Sequence, residues 1–288
     1  MPSSVAKCES LQRGLAIVIM LIALVAPNTV RADALPRIAS INVCTDQLLM
    51  TLADPAQILG LSPYARDPVR SWHAAEAARF PLLSGEAEDV LMLKPDIVVA
   101  GRYTKRATRE LLKQQGLRVV EFDAARSIDD VKKQIRLMGE LAGHPDRADT
   151  ELARLEAAIA RLRQVASRKA YRVLPVSRRG WIAGAQSLAS SLLTAAGLRN
   201  AIGESGSMRA GFRSLETIVS LRPDFLMVTD GGDFAEDEGR AFLLHPALER
   251  FYPAAKRIVI PERLINCGGP MLVEAAQRLG AELERVER

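Results

Sequence analysis

Short apolar runs without polar alternation recur along this chain, each behind a brief amphipathic stretch and a Pro-Asp pair. The clearest are Ile97-Val98-Val99-Ala100 and Phe225-Leu226-Met227-Val228. An unbroken apolar run of this length suits a parallel strand covered on both faces. Ahead of the first run, Val90, Leu91 and Leu93 mark a short amphipathic helix. Pro95 stops it, because proline has no amide proton with which to continue the ladder. The two surroundings share one phrase, "EDVLMLKPDIVVA" at 88–100 and "ETIVSLRPDFLMV" at 216–228.

The second phrase begins 128 residues after the first, well past the ~20 to 50 residue period of solenoids and propellers. The chain therefore reads as two similar halves. After Ala100, "GRYTKRATRELLKQQGLRVVEF" gives a loop, a helix carrying Leu111 and Leu112, a stop at Gly116 and a strand over Leu117 to Phe122. After Val228, "TDGGDFAEDEGRAFLLHPALERFYPAAKRIVIP" gives a glycine loop, a helical segment and a strand over Arg257 to Ile260. Strand, helix, strand in this order favours right-handed crossovers and parallel sheets. The expectation is an α/β protein with an N-terminal lobe over 35–125, a connector over 126–169 and a C-terminal lobe over 170–288.

The connector reads as two helices broken at "GHPD". The second, from Asp146 to about Ala166, places Leu152, Leu155, Ile159 and Leu162 at helical spacing. At 1.5 Å per residue it reaches ~30 Å, the width of a small domain, so it can bridge both lobes.

Residues 1–34 carry the pattern of a cleaved secretory signal. Lys7 and Arg13 make a positive start, Gly14 to Val30 is uncharged, and Ala32 to Ala34 offers small residues for a cut after Ala32 or Ala34. The uncharged run contains Pro27 and Asn28 and falls short of the ~20 apolar residues that span a bilayer. The expected location is the periplasm. The formal charge of +5 is mild, and no basic block interleaves with aromatics, so nucleic acid is not an expected partner. No G-x-G-x-x-G follows a strand, and neither a G-x-S-x-G elbow nor a phosphate loop ending in G-K-[ST] occurs. The expectation is a protein that is not an enzyme and needs no catalytic cofactor; an exported α/β enzyme or sensor is the alternative. His73, His144 and His245 are scattered, the last two before proline, which predicts no clustered metal site.

The order and spacing of several stretches resemble the periplasmic substrate-binding proteins of ABC importers for cobalamin, ferric siderophores and haem. These are "RIASINVCTDQLLMTLADPAQILGLSPYA", "EDVLMLKPDIVVAGRY", "HPDRADTELARLEAAIARL", "GWIAGAQSLASSLLTAAGLRNAIG", "RSLETIVSLRPDFLMVTDGG" and "CGGPMLVEAAQRL". Together they cover roughly Arg37 to Leu283. The resemblance implies two α/β lobes joined by a long helix, a ligand in the cleft between them, and little hinge motion. It also implies a monomer that delivers a metal chelate, a corrinoid or a ferric siderophore, to an inner-membrane permease and its ATPase subunits. A haem receptor is the variant reading.

Ligands of open α/β sheets sit beyond the carboxyl ends of the strands. That rule selects the loops Asn42–Thr45, Ser62–Tyr64, Gly101–Thr104, Gly180–Ala183, Thr229–Asp233 and Ile265–Gly269. Tyr64, Tyr103 and Trp181 fall in them, although aromatics are only 5% of the chain. Flat apolar walls suit a large planar chelate. By resemblance, Tyr64 and Trp181 match wall positions of the cobalamin-binding members, and Phe212 lies near another. Trp72 reads equally as a lid or as core. Tyr103 is the candidate for haem-iron ligation, and Arg102 and Arg213 are candidates for anionic oxygens of the ligand. Cys44 and Cys267 lie one per lobe, with three arrangements open: an interlobe disulfide, a pair of metal-ligating thiolates, or two unrelated buried thiols.

The resemblance also implies an acidic residue on each lobe that meets arginines of the permease. Glu216 matches that position in the second lobe. In the first lobe the aligned residue is Arg106, a departure, which leaves Glu88, the symmetry mate of Glu216, or Glu110.

Overall fold

In the computed structural model, residues 34–166, 170–204, 209–229 and 238–286 are described. The expected signal over 1–34, apart from Ala34, and the expected cleft residues 230–233 lie outside them. The first half runs β1 (Ile38–Ser40), α1 (Val43–Leu52), β2 (Ile58–Gly60), α2 (Ala87–Leu93), β3 (Ile97–Gly101), α3 (Arg106–Gln114) and β4 (Val119–Phe122). Two long helices follow, α4 (Ile128–Ala142) and α5 (Pro145–Ala166). The second half begins with β5 (Arg172–Ser177), β6 (Trp181–Ile182), α6 (Leu188–Ala195), β7 (Arg199–Asn200), α7 (Ala201–Glu204) and β8 (Gly211–Phe212). It ends with α8 (Leu215–Ser220), β9 (Phe225–Val228), α9 (Glu238–Leu243), α10 (Pro246–Phe251), β10 (Arg257–Val259), α11 (Glu262–Ile265) and α12 (Leu272–Val286).

The first sheet is parallel throughout, in the order β2-β1-β3-β4. The second has the order β10-β9-β5-β6-β8, with β7 also paired to β5. Its β10, β9, β5 and β7 pairings are parallel, whereas β6 and β8 are antiparallel additions. Gly180–Ala183, expected as a loop, therefore holds a strand at Trp181–Ile182. The periodicity missed it because two residues are too few to show alternation.

The repeated phrase builds the same corner twice. Lys94 (φ 47°) and Arg222 (φ 46°) adopt the left-handed conformation that turns each helix back toward its strand. The aspartate behind the proline then closes the corner. Asp96 accepts the Arg37 amide at 2.7 Å and Asp224 accepts the Arg172 amide at 2.7 Å. The aspartate's own amide returns a bond to the Arg37 or Arg172 carbonyl. The arginine side chain then reaches back to the helix end, onto the carbonyl of Leu93 in one half and of Leu221 and Arg222 in the other. The Pro-Asp pair is thus a fastening between each αβ unit and the strand beside it.

Alternation along the strands divides the core into three parts. Ile97 and Val99 of β3, with Val173 of β5 and Phe225 and Met227 of β9, face a central set of buried side chains. Val98 and Ala100 face a smaller set with Leu83, Val90 and Leu112. Leu174, Val176, Leu226 and Val228 face another with Ile218 and Leu248. Both faces of β3 and β9 are covered, which is why these two strands are apolar without interruption.

The central set is shared by both halves. It runs from Leu48 and Leu49 of α1, through Ile135 and Met138 of α4 and Leu155 and Leu162 of α5, to Leu192 of α6 and Leu279 and Leu283 of α12. Helix α5 spans 22 residues, ~33 Å at 1.5 Å per residue, and packs against both α4 and α12. Leu35–Arg288 forms one compact unit.

Cys44 at the start of α1 is bonded to Cys267 between α11 and α12, with Cα atoms 5.2 Å apart across a sequence separation of 223. Of the three arrangements open in the sequence, the disulfide is the one adopted, and sulfurs bonded to each other are not thiolate ligands. Unfolded, unreduced protein beginning at Leu35 should titrate no free thiol, and two after reduction. Replacing both cysteines by serine should lower stability by about 2 to 5 kcal/mol, read from urea unfolding, because so long a closed loop restricts the unfolded chain. Two free thiols without reductant would contradict the bond.

Candidate ligand-binding cleft

In the first half, the segments that follow strand ends β1 and β4 meet segments of the second half. Cys44 is joined to Cys267. A Cβ on Gly268 would collide with Ala125 and Val131, so the backbone of the second half lies directly on the first. The Ile128 amide donates to Ser191 Oγ at 3.0 Å, and the Trp72 indole Nε1 donates to Glu274 Oε2 at 2.7 Å. Trp72, read as lid or core, is a half-buried strut between the halves. The carboxyl edges of the two sheets thus border one junction, where α/β ligands are expected.

The wall on the first half stands on an irregular segment over 62–81, closed at its base by pairing of Leu61 with Leu82. Three polar side chains of α1 hold it. Asp46 accepts the Ser62 amide and hydroxyl, Gln47 Oε1 accepts the Trp72 amide at 2.8 Å, and Thr51 Oγ1 is 3.0 Å from His73 Nε2. Within the segment, Arg66 donates to the Phe80 carbonyl at 2.7 Å. Tyr64 stands exposed at its start, with the Arg70 guanidinium 4.8 Å from its ring centre.

Tyr103, 77% exposed, follows β3. It borders a cavity of about 720 Å³ lined also by Arg102, Asp123, Arg126, Lys133 and Gln134. Arg102 is held by Asp123 at 2.8 Å, so an incoming anion would share this guanidinium with a carboxylate. A second cavity of about 590 Å³ lies between the starts of α4 and α6, lined by Ser127 and Ile128 on one side and Gln186, Ser187 and Ser191 on the other.

On the second half the candidate rings stand on the antiparallel strands. Arg179 (φ 58°) and Gly180 (φ 72°) form the tight turn that brings β6 back along β5. Ile182 is then buried and Trp181 projects outward, 39% exposed. Trp181 pairs in register with Phe212 of β8, and their rings meet edge to face with centroids 5.0 Å apart. Arg213 donates to the carbonyls of Phe212 and Arg209, which stiffens the end of β8. No ring of one wall stacks on a ring of the other among the described residues.

Glu88 and Glu216 are exposed in the first turns of α2 and α8, the helices of the repeated phrase. A helix feeding a parallel strand runs antiparallel to it, so each glutamate lies at the carboxyl-edge end of its half. The Ser214 hydroxyl and the backbone amide of Glu216 itself hold the Glu216 carboxyl below the usual range. Glu110 is half-buried, 3.3 Å from Lys113. The sequence reading did not single out Asp46, Gln47, Arg70 or Glu274. A polar pair on an otherwise apolar helix, Asp46-Gln47 before Leu48-Leu49, was the available signal.

The profile of the periplasmic binding protein family matches residues 38–260, and the chain belongs to that family. A cobalamin-binding protein of Halobacterium salinarum is 26% identical over 265 residues, covering 88% of this chain and 71% of its own. Among solved structures, the apo periplasmic heme-binding protein RhuT of Roseiflexus sp. RS-1 superposes with a TM-score of 0.71 at 22% identity, covering 88% of this chain and all of its own. The periplasmic vitamin B12 binding protein BtuF of Vibrio cholerae does so with 0.65 at 17% identity, covering 88% and 98%. Both share the two-lobed α/β fold.

The turn before Trp181 gives a direct check on how this wall is placed. A Cβ on Gly180 would lie 2.5 Å from the Arg213 carbonyl oxygen and 2.6 Å from the Phe242 ring. Its φ of 72° also costs any other L-residue about 1 to 2 kcal/mol. Gly180→Ala should lower stability by at least that amount in urea unfolding and alter the near-ultraviolet circular dichroism of the Trp181–Phe212 pair. An unchanged spectrum would show that the turn does not set the pair.

Proposed function

We propose that this protein captures a metal-bearing chelate, a corrinoid ahead of a ferric siderophore, outside the cytoplasm and delivers it to an ABC permease. The observation that carries the reading is the exposed Trp181–Phe212 pair on one side of the junction, with Tyr64 and Tyr103 exposed on the other. Exposed aromatic rings in a recess are costly unless something flat covers them. The cobalamin-binding relative favours the corrinoid. The family to which the chain belongs supports the carrier reading, and residues 1–34 supply the export signal. Arg102 and Arg213 border the walls as cationic anchors.

A haem ligand is the second reading, favoured by the exposed Tyr103 phenol, since a tyrosinate can ligate haem iron. Visible spectra of residues 35–288 mixed with cyanocobalamin, hemin or a ferric catecholate separate the three. With the ligand that binds, Trp181→Ala should weaken affinity by about 1 to 3 kcal/mol while thermal unfolding stays put. Trp72, the other of the two tryptophans, remains as fluorescence reporter. Undiminished affinity removes Trp181 from the wall; no binding of any of the three, with turnover of ester or phosphate substrates, favours the enzyme alternative.

Docking is assigned to Glu216 and Glu88. Both are exposed at equivalent helix starts, whereas Glu110 is engaged by Lys113. Glu216→Lys should leave ligand affinity and stability nearly unchanged, yet impair uptake and permease binding, and the wild-type complex should weaken as salt rises. Normal uptake by this variant rejects the assignment.

A further inference from the structure

Asp46 is a carboxyl group for which the carrier function has no evident use. It lies in the first turn of α1 with no exposed surface, two residues beyond Cys44. The Ser62 amide donates to its Oδ1 and Oδ2 at 3.1 and 3.3 Å, and Ser62 Oγ is 2.5 Å from Oδ2. From β1, the Ser40 hydroxyl also bears on it. Among the described residues no lysine, arginine or histidine pairs with Asp46. The charged and titratable groups of the facing segment are engaged elsewhere: Arg66 on the Ala77 and Phe80 carbonyls, Asp67 with Arg70, Arg70 over Tyr64, His73 with Thr51 and Glu76, and Arg79 over Phe80.

A buried carboxylate with no cation favours its neutral form. Burial, offset only in part by the Ser40 and Ser62 hydroxyls and the Ser62 amide, pushes this group up to about 7. If the turn at Ser62 opened, water would reach the carboxyl, which would then ionise near the ordinary value of ~4. Ionisation and opening are therefore linked.

We propose that Asp46 is the positioning residue for Tyr64: while it carries its proton it holds the Ser62–Tyr64 turn shut against α1, and ionisation releases that turn. The bearing on ligand capture rests on Tyr64 belonging to the cleft wall; the order of the turn does not. The sign follows from proton linkage. The closed form binds the proton more tightly than the open one, so between the two pKa values each pH unit multiplies the open population by up to ~10. Above about 7 the rise levels off. Tyr64 is held best in acid.

Amide hydrogen exchange on residues 35–288, from about pH 5 to 9 and corrected for intrinsic rates, reads this without any ligand. Protection of the Ser62 and Ala65 amides should fall up to ~10-fold per pH unit toward neutrality and then flatten, while the β5 amides show no such break. In Asp46→Asn the profile should be level, because the amide side chain still accepts from Ser62 but carries no titrating proton. Ser62→Ala keeps Asp46 and removes a bond that favours the ionised form, so its break should move to higher pH. A level wild-type profile, the same slope in Asp46→Asn, or a break shared by β5 would overturn the assignment.

Discussion

Helix α1 is the constraint on which the rest depends. Within ten residues it carries one half of the disulfide, the two leucines that open the shared core, and the polar side chains that fasten the 62–81 segment. Each task fixes another. The Cys44–Cys267 bond ties the helix start to the second half, while Leu48 and Leu49 tie its middle to α4 and the central core. Asp46, Gln47 and Thr51 then transmit that fixed position to Tyr64, Trp72 and His73. A rotation of α1 would break all three sets of contacts at once, so its orientation is over-determined.

The two cleft walls follow different physical logic. Trp181 and Phe212 sit on strands, where cross-strand register fixes both rings relative to a sheet whose inner strand β9 is buried on both faces. Tyr64 sits on a largely irregular segment, with one 3-10 turn at Glu76–Arg79, that is held by side-chain hydrogen bonds to α1. One wall is a rigid plate and the other is set by polar contacts that respond to conditions.

The strands and long helices were legible because their periods are long enough to see. β3 and β9 begin where the apolar runs begin, and α5 covers the span that Leu152, Leu155, Ile159 and Leu162 marked out. What the repeated Pro-Asp phrase does was not legible, since its aspartates act on Arg37 and Arg172, 59 and 52 residues away. The two-residue strands β6, β7 and β8 were hidden for a related reason: their pairing is set by Arg179 and Gly180 turning left-handed and by contacts distant in sequence. The candidacy of Tyr64, Tyr103 and Trp181 followed from the strand-end rule, whereas the supports near the first half's rings, Asp46, Gln47 and Glu274, depend on which loop falls against which helix. The cysteine pairing depended on geometry in the same way.

The sharing of one core by the first strand and the last helix also bears on how the molecule is made. Ile38 and Leu48 enter the same cluster as Leu279 and Leu283, so a segment made early shares its core with one made more than 200 residues later. A chain interrupted before Cys267 would leave the side of α5 that packs on α12 without cover and Cys44 without its partner. Contacts that distant in sequence are slow to form, because the loop between them must be closed before they stabilise anything. The shared core is thus completed only once Cys267 and α12 have been made, and a nascent first half is the form most in need of protection from aggregation.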